Sequence, residues 1–152
     1  MREHCIQRCI FCFGTPFDIA YGNGKYITAV GGGYMVTSSD GITWAMKQHQ
    51  SLMGGYYING IAFGNGMFVM VGTKGITARS TDGGETWEVP STFVSKKNWR
   101  GIAFSNGKFI AVTTDGYVTT STDGMTWTTP EQIKDESGNV VTAFFTGICA
   151  MP

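Results

Sequence analysis

Three copies of one short pattern constrain this chain more than any other feature of its sequence. An Ile-Ala-aromatic triplet, an Asn-Gly pair and an aromatic residue followed by a β-branched one recur in that order. The Asn-Gly pairs begin at Asn23, Asn65 and Asn106, and an aspartate follows each asparagine 17 residues later, at Asp40, Asp82 and Asp123. A period of about 41 residues is typical of repeat proteins, in which each copy is one supersecondary unit.

Each copy predicts four antiparallel strands, A to D, and the middle copy is the clearest. Asn65-Gly66 suits the positive φ angles of a type I′ turn between strand A (61–63) and strand B (68–71). A turn at 73–75 leads to strand C (76–80), and the turn at Asp82 leads to strand D (86–89). An aspartate in such a turn accepts hydrogen bonds from backbone N–H groups. The tryptophans that follow, Trp44, Trp87 and Trp127, are expected in equivalent, largely buried positions.

The segments around the three aspartates resemble the Asp box of the BNR repeat family. The middle one, Ser80-Thr81-Asp82-Gly83-Gly84-Glu85-Thr86-Trp87, fits S-x-D-x-G-x-T-W in full, and the outer two are one residue shorter. Gly84 is taken as the residue that the outer copies lack. The resemblance covers about residues 17–130, and the family includes sialidases, other propeller hydrolases and many secreted and phage proteins. It implies an all-β fold, a β-propeller of four-stranded antiparallel blades.

The repeats divide a single domain, residues 1–152, into three blades at about 17–48, 58–92 and 100–130. Residues 141–151 resemble a further strand A and strand B, and residues 4–13 resemble a single strand. We expect these two segments to combine into a composite fourth blade, which would shelter an open sheet edge. The propeller ring could close within one chain, or between two chains that exchange strands and form a homodimer. In either arrangement Cys149 would lie near Cys9.

Composition and charge argue against several classes of function. The net charge is zero, which disfavours a nucleic-acid partner or an anionic membrane surface. No apolar run reaches the roughly 18 residues of a membrane helix, and the N-terminus lacks the features of a signal peptide. The sequence therefore predicts a cytoplasmic protein or one carried in a virion or similar particle.

The cysteines at the N-terminus have a spacing found in metal sites. Cys5, Cys9 and Cys12 match the spacing of the iron–sulfur motif of radical S-adenosylmethionine enzymes, and His4 could add a zinc ligand. No strand–helix repeats accompany the motif, however, and cysteine is also a small apolar residue in buried strands. We therefore expect no cofactor.

Catalysis by a pair of carboxylates is the main enzymatic alternative. The resemblance implies structural boxes, remote from any active site, and the four arginines do not form the arginine triad of a sialidase. A generic glycoside hydrolase needs two facing carboxylates. Asp18, which replaces Gly60 and Gly101 of the other copies, and Asp115, in the third B–C turn, are the candidates. Both could equally stabilise turns.

The connections between strand D and the next strand A differ most among the copies. They span 49–57, 95–100 and 131–139, and irregular loops on a regular scaffold are typical of a binding surface. The candidate ligand-binding residues are Tyr56, Tyr57, Lys97, Trp99 and Arg100, although Trp99 could instead seal the space between blades. We expect a non-enzymatic module that binds a glycan or a protein through this face, associated with a phage or another surface assembly. The alternatives are a glycoside hydrolase and a purely structural assembly protein.

Overall fold

The computed structural model describes residues 18–52 and 54–150, and these residues form antiparallel sheets joined by turns. The first sheet holds β1 (Ile19–Gly22), β2 (Lys25–Val30), β3 (Tyr34–Ser38) and β4 (Ala45–Gln48). The second holds β5 (Ile58–Gly64), β6 (Met67–Gly72) and β7 (Thr77–Ser80). The third holds β8 (Trp99–Ser105), β9 (Lys108–Thr113), β10 (Tyr117–Ser121) and β11 (Glu131–Gln132). Neighbouring strands in each sheet are consecutive in the chain.

The described residues contain no helix longer than a three-residue 3-10 turn, as the repeat pattern predicts. Two such turns occur, at Gln50–Leu52 and Thr73–Gly75. None of the described helices has the length and apolar character of a membrane span.

The Asn-Gly turns have the backbone geometry that the sequence predicts. Asn23, Asn65 and Asn106 have φ angles of 49°, 48° and 49°, and the glycine after each has a φ angle of 75°. Positive φ at both central residues defines the type I′ turn, whose twist matches that of the flanking strands. Local turn chemistry therefore determines the first hairpin of each sheet, between its first and second strands.

Strand D is shorter in the second unit than predicted, and it lies later in the third. In the second unit it is reduced to one bridge, between Arg79 and Glu88, and Pro90 follows. In the third unit β11 begins at Glu131, directly after Pro130, inside a segment that was predicted to be a connection. Proline has no N–H to give to a sheet ladder, so it limits strand D in both units.

The box turns are organised by the aspartate carboxylates. The Asp40 Oδ1 atom accepts hydrogen bonds from the Ile42 and Thr43 N–H groups at 2.8 and 2.7 Å. The Asp123 Oδ1 atom accepts from the Met125 and Thr126 N–H groups at the same two distances, 2.8 and 2.7 Å. Each carboxylate thus closes its own turn.

The extra residue of the middle box is Gly83, and the assignment of Gly84 was wrong. The Gly84 N–H donates to the Ser80 hydroxyl at 2.8 Å, as the Gly41 and Gly124 N–H groups do to Ser38 and Ser121 at 2.9 and 2.8 Å. Gly84 therefore occupies the position of Gly41 and Gly124, and Gly83 is inserted before it.

Acid should weaken the fold through Asp82. Burial acts to raise the pKa of this carboxyl, but hydrogen bonds from Thr86 and Ser80 outweigh it and lower the pKa to about 2 from 3.8. A lowered pKa stabilises the fold above the unfolded value, and the contribution is lost as the pH falls through about 2. Asp82→Ala should cost about 1 kcal/mol at pH 7. Urea unfolding between pH 7 and 2 should show a flatter acid dependence for this variant, and identical curves for both proteins would contradict the assignment.

Neighbouring sheets pack through equivalent contacts at the two junctions. The Phe63 ring lies against Gly22, and the Phe104 ring lies against Gly64, so closely that a Cβ on either glycine would come within 2.1 Å of the ring. A side chain at Gly84 or Gly124 would meet Ile27 or Val69, respectively, at 2.6 Å. The second and third units therefore each pack an aromatic ring and a box glycine against the unit before.

Two apolar clusters fill these junctions. The first lies between the first two units and includes Ile27, Met35, Phe68, Met70 and Trp87. The second lies between the second and third units and includes Val69, Trp99, Ile102, Phe109 and Trp127. Trp44, by contrast, is only half-buried, so the prediction of three equivalent buried tryptophans was wrong for the first unit. Trp87 and Trp127 each belong to a junction with a preceding unit, and Trp44 belongs to neither cluster.

The C-terminal segment differs from its predicted strands. Residues 141–150 form no strand, although Gly147 and Ile148 lie beside Gly101 in the way that Gly101 and Ile102 lie beside Gly60. A further strand A would therefore start at Gly147 rather than at residue 141. The composite fourth blade stays a prediction, because residues 4–13 and residue 151 lie outside the described residues.

Candidate functional site

The candidate site is the set of turns and connections that we call the loop face: residues 54–57, 73–75, 95–98 and 114–116. Backbone hydrogen bonds tie its parts together. The Thr73 N–H donates to the Tyr57 carbonyl at 2.9 Å, and the Tyr57 N–H donates to the Thr73 hydroxyl at 2.9 Å. The Lys74 N–H donates to the Asn98 side chain at 2.9 Å. Two connections are thus fixed to one turn of the second unit.

Tyr56 and Tyr57 lie on this face with different roles. The Tyr56 ring is half-buried and meets Phe93 edge-on, with a centroid distance of 6.0 Å, while the Lys74 ammonium lies 5.9 Å from its centroid. Tyr57 is 61% exposed although its backbone is held on both sides of the residue. It presents an aromatic side chain to solvent from a fixed position.

A second group surrounds Lys97. Its ammonium lies over the Tyr117 ring, 3.2 Å from the centroid, and 3.7 Å from the Asp115 carboxylate. The pKa of Asp115 lies below its ordinary value, mainly because the Thr113 hydroxyl hydrogen bonds to the carboxylate; burial opposes this effect, and the attraction of Lys97 adds to it. Asp115 therefore remains ionised and acts as a partner of Lys97.

Trp99 and Arg100 lie in β8 rather than in a loop. Trp99 is 0% exposed, and its carbonyl accepts a hydrogen bond from the Asn59 amide at 2.8 Å. Its ring belongs to the core between the second and third units, which agrees with the sealing role considered from the sequence. Arg100 is half-buried. Of the candidate ligand-binding residues, Tyr57 is the one that is exposed outright.

Asp18 and Asp115 each have structural partners. The Asp18 carboxylate accepts from the Ile19 N–H at 2.9 Å and from the Ile61 N–H at 3.1 Å, so it links β1 to β5. Asp115 instead pairs with Lys97 in the third unit. This arrangement explains why an aspartate can replace the glycine of the other units.

Cys149 is exposed, and Cys5, Cys9, Cys12 and His4 lie outside the described residues. Within residues 18–52 and 54–150, no cluster of three or more His, Cys, Asp or Glu side chains could hold a metal ion. The proposed proximity of Cys149 to Cys9 stays a prediction.

His49, at the start of the first connection, is a buried titratable group that the sequence did not single out. Its backbone N–H donates to the Gly33 carbonyl at 2.9 Å, and the ring Nε2 atom has no hydrogen-bond partner among the described residues. Burial lowers its pKa, and Lys47 adds to that effect, while Glu85 and Asp82 oppose it. The ring is therefore neutral at pH 7 and contributes no charge to the loop face.

A groove that the sequence did not predict lies between the second and third units. It has a volume of about 430 Å³, and its walls include Phe93, Val94, Met125 and Trp127. Residues 90–94 form one wall. The apolar pair Phe93-Val94 in an otherwise polar connection is the sequence feature that could have predicted this groove.

Comparison with solved structures identifies the architecture. YCF48 bound to a D1 peptide matches with a TM-score of 0.64 and 22% identity, over 76% of this chain and 40% of that one. YCF48 from Cyanidioschyzon merolae matches with a TM-score of 0.62 and 20% identity, over 76% and 39%. The fold is of the β-propeller type. The computationally designed Ika4 protein is also similar, with a TM-score of 0.59 and 13% identity over 88% of this chain and 78% of that one.

These similarities show the fold alone, because all three identities are below 25%. The chain spans about 40% of the length of the YCF48 proteins that it resembles. No protein-family model and no curated protein sequence matches it. The resemblance to the Asp-box family therefore rests on the motif and on its turn geometry.

Proposed function

We propose that this protein is a non-enzymatic protein-binding module of the β-propeller type, which recognises its partner through the loop face. The observation that carries the proposal is Tyr57, a 61% exposed aromatic side chain on a backbone held by two hydrogen bonds to Thr73. Aromatic side chains on rigid supports bind partners at low conformational cost. YCF48, a structural neighbour, was solved with a bound D1 peptide, which supports a peptide ligand for a propeller of this kind.

The charge of the loop face favours an acidic segment as the ligand. Lys74 and Lys96 are exposed and Lys97 is half-buried, whereas Asp115 is the exposed carboxylate within these loops. Opposite charge directs association and fixes the orientation of a partner more than it raises affinity. Tyr57 would pack against an apolar residue of the segment, and the lysines would face its carboxylates.

Glycan binding and a role in a phage or surface assembly are finer versions of the same proposal. Sugar rings also stack on exposed tyrosine side chains, so the experiment below includes glycans as ligands. A hydrolytic role is not favoured, because Asp18 and Asp115 each engage separate structural partners.

A display library of random dodecapeptides is the probe for this proposal. Selected peptides should be rich in Asp and Glu, and Tyr57→Ala and Lys96→Glu should each weaken their binding about tenfold, measured by fluorescence anisotropy. Ile42→Ala is the matched control, because Ile42 is 85% exposed but lies on a box turn. Equal binding by the Tyr57 variant and the wild type would refute the loop face as the site. Binding on a glycan array instead, lost in the same variant, would replace the protein ligand by a glycan.

A further inference from the structure

Residues 147–150 repeat the motif of an innermost strand. Gly147-Ile148-Cys149-Ala150 aligns with Gly60-Ile61-Ala62-Phe63 and with Gly101-Ile102-Ala103-Phe104. A Cβ on Gly60 would lie 3.1 Å from the Ile102 nitrogen, and a Cβ on Gly101 would lie 3.1 Å from the Gly147 Cα and 3.2 Å from the Ile148 nitrogen. Sequence and position therefore agree that this segment starts strand A of a further blade.

The segment lacks the strand that every other innermost strand pairs with. β1, β5 and β8 pair antiparallel with β2, β6 and β9. Among the described residues, no backbone hydrogen bond reaches residues 147–150, and the last one before them joins the Phe145 N–H to the Thr114 carbonyl at 3.3 Å. Cys149 is exposed, whereas the equivalent Ala62 and Ala103 are 9% and 7% exposed.

We propose that residues 147–150 are an open strand edge that binds an extended segment of a partner protein by antiparallel pairing, in the place that strand B holds in the complete blades. Unpaired N–H and C=O groups at such an edge are a template for strand addition. The site lies apart from the loop face, so it adds a second contact to the proposed function.

The complete blades define the chemistry of the incoming segment. Phe68 and Phe109, the second residues of β6 and β9, are 0% exposed and pack on Phe63 and Phe104 with centroid distances of 4.7 and 4.8 Å. In β6 the next three residues, Val69, Met70 and Val71, are also 0% exposed. Ala150 stands where the complete blades have Phe63 or Phe104, which leaves room beside it for a large ring. The partner segment is therefore an aromatic residue followed by three aliphatic ones, without proline.

The test uses the full chain and a peptide with the sequence of β9, Lys108–Thr113, with added terminal lysines for solubility. The control peptide carries proline at the positions of Ile110 and Val112, which removes ladder donors while keeping the aromatic residue. The readout is the rate at which iodoacetamide alkylates Cys149, followed by mass spectrometry of the peptide that contains it. We expect the β9 peptide to slow alkylation about tenfold at saturation and the proline peptide to leave the rate unchanged.

A six-residue strand binds weakly, so the same sequence is also fused after Pro152 through a flexible linker, which gives an effective concentration in the millimolar range. The fused β9 sequence should protect Cys149, and the fused proline sequence should not. Equal alkylation rates in both fusions would overturn the proposal. Protection of Cys149 in the free protein would overturn it too: at all concentrations it would assign the edge to another segment of the chain, and with rising concentration to a second copy. Tyr57→Ala should leave Cys149 protection by the β9 peptide unchanged, which separates failure at this edge from failure at the loop face.

Discussion

Replacing Trp87 by alanine is expected to lower the free energy of unfolding by about 3–5 kcal/mol, the range for deleting a large buried aromatic side chain. Trp87 is 6% exposed and packs in the cluster between the first two units with Phe68, Met70 and Ile27. Alanine would leave a cavity that the strands of two different sheets border. Urea unfolding followed by far-ultraviolet circular dichroism measures the change.

Trp44→Ala is the matched control, because Trp44 follows the same box turn but is only half-buried. Its indole N–H donates to the Gly41 carbonyl at 3.2 Å, as that of Trp127 does to the Gly124 carbonyl at 3.2 Å. The turn is thus the same and the burial differs, so Trp44→Ala should cost less than half as much as Trp87→Ala. Equal losses in both variants would mean that the turn, and not the junction, determines the effect.

Gly75→Ala is the second substitution for which we expect a large loss of stability, about 2–5 kcal/mol, from strain and overpacking together. Gly75 has a φ angle of 82°, and a Cβ at this position would lie 1.8 Å from the Ser95 carbonyl oxygen. Because that oxygen belongs to the backbone, the turn and the connection must move apart. The hydrogen bond from the Lys74 N–H to Asn98 spans the same junction and should be lost with it.

Gly66→Ala separates the two causes. Gly66 has a similar φ angle, 75°, but a Cβ there meets no atom within 4 Å. Only the backbone strain remains, about 1–2 kcal/mol. If both variants lose the same stability in urea unfolding, the contact with Ser95 contributes nothing. A larger loss for Gly75→Ala should be accompanied by weaker binding of the peptides selected on the loop face.

The local part of the fold could be predicted from the sequence, because its determinants lie within a few residues. The Asn-Gly turns require positive φ angles, and the box aspartates satisfy N–H groups two to four residues away. The extent of strand D could not be predicted as well, because Pro90 and Pro130 end or delay pairing that the repeat alone would continue. The apolar stretch Val141–Phe145 predicts a strand, but residues 141–150 form none in the structure.

The positions of the candidate residues could be predicted in part. The sequence places Tyr56, Tyr57 and Lys97 on one variable face, and the structure places them in the loops of that face. The sequence could not show that Trp99 is buried and Tyr57 exposed, because burial depends on contacts with another unit. Trp99 belongs to the cluster that includes Val71 and Trp127, whereas Tyr57 is exposed. Asp18 was noticed for its departure from glycine, and its bond to the Ile61 N–H accounts for that departure.

The aromatic-on-glycine contact also limits how such a chain can grow by duplication. Gly22 and Gly64 have no room for a side chain because the next unit places a phenylalanine ring on each. The third unit has Ser105 at this position, and the segment that follows has Ala150 where the phenylalanine would be. A unit copied after the second blade would thus fit without further change, whereas one copied after the third would need Ser105→Gly first. Ser105 and Ala150 thus differ together from the glycine–phenylalanine pairs of the other two junctions.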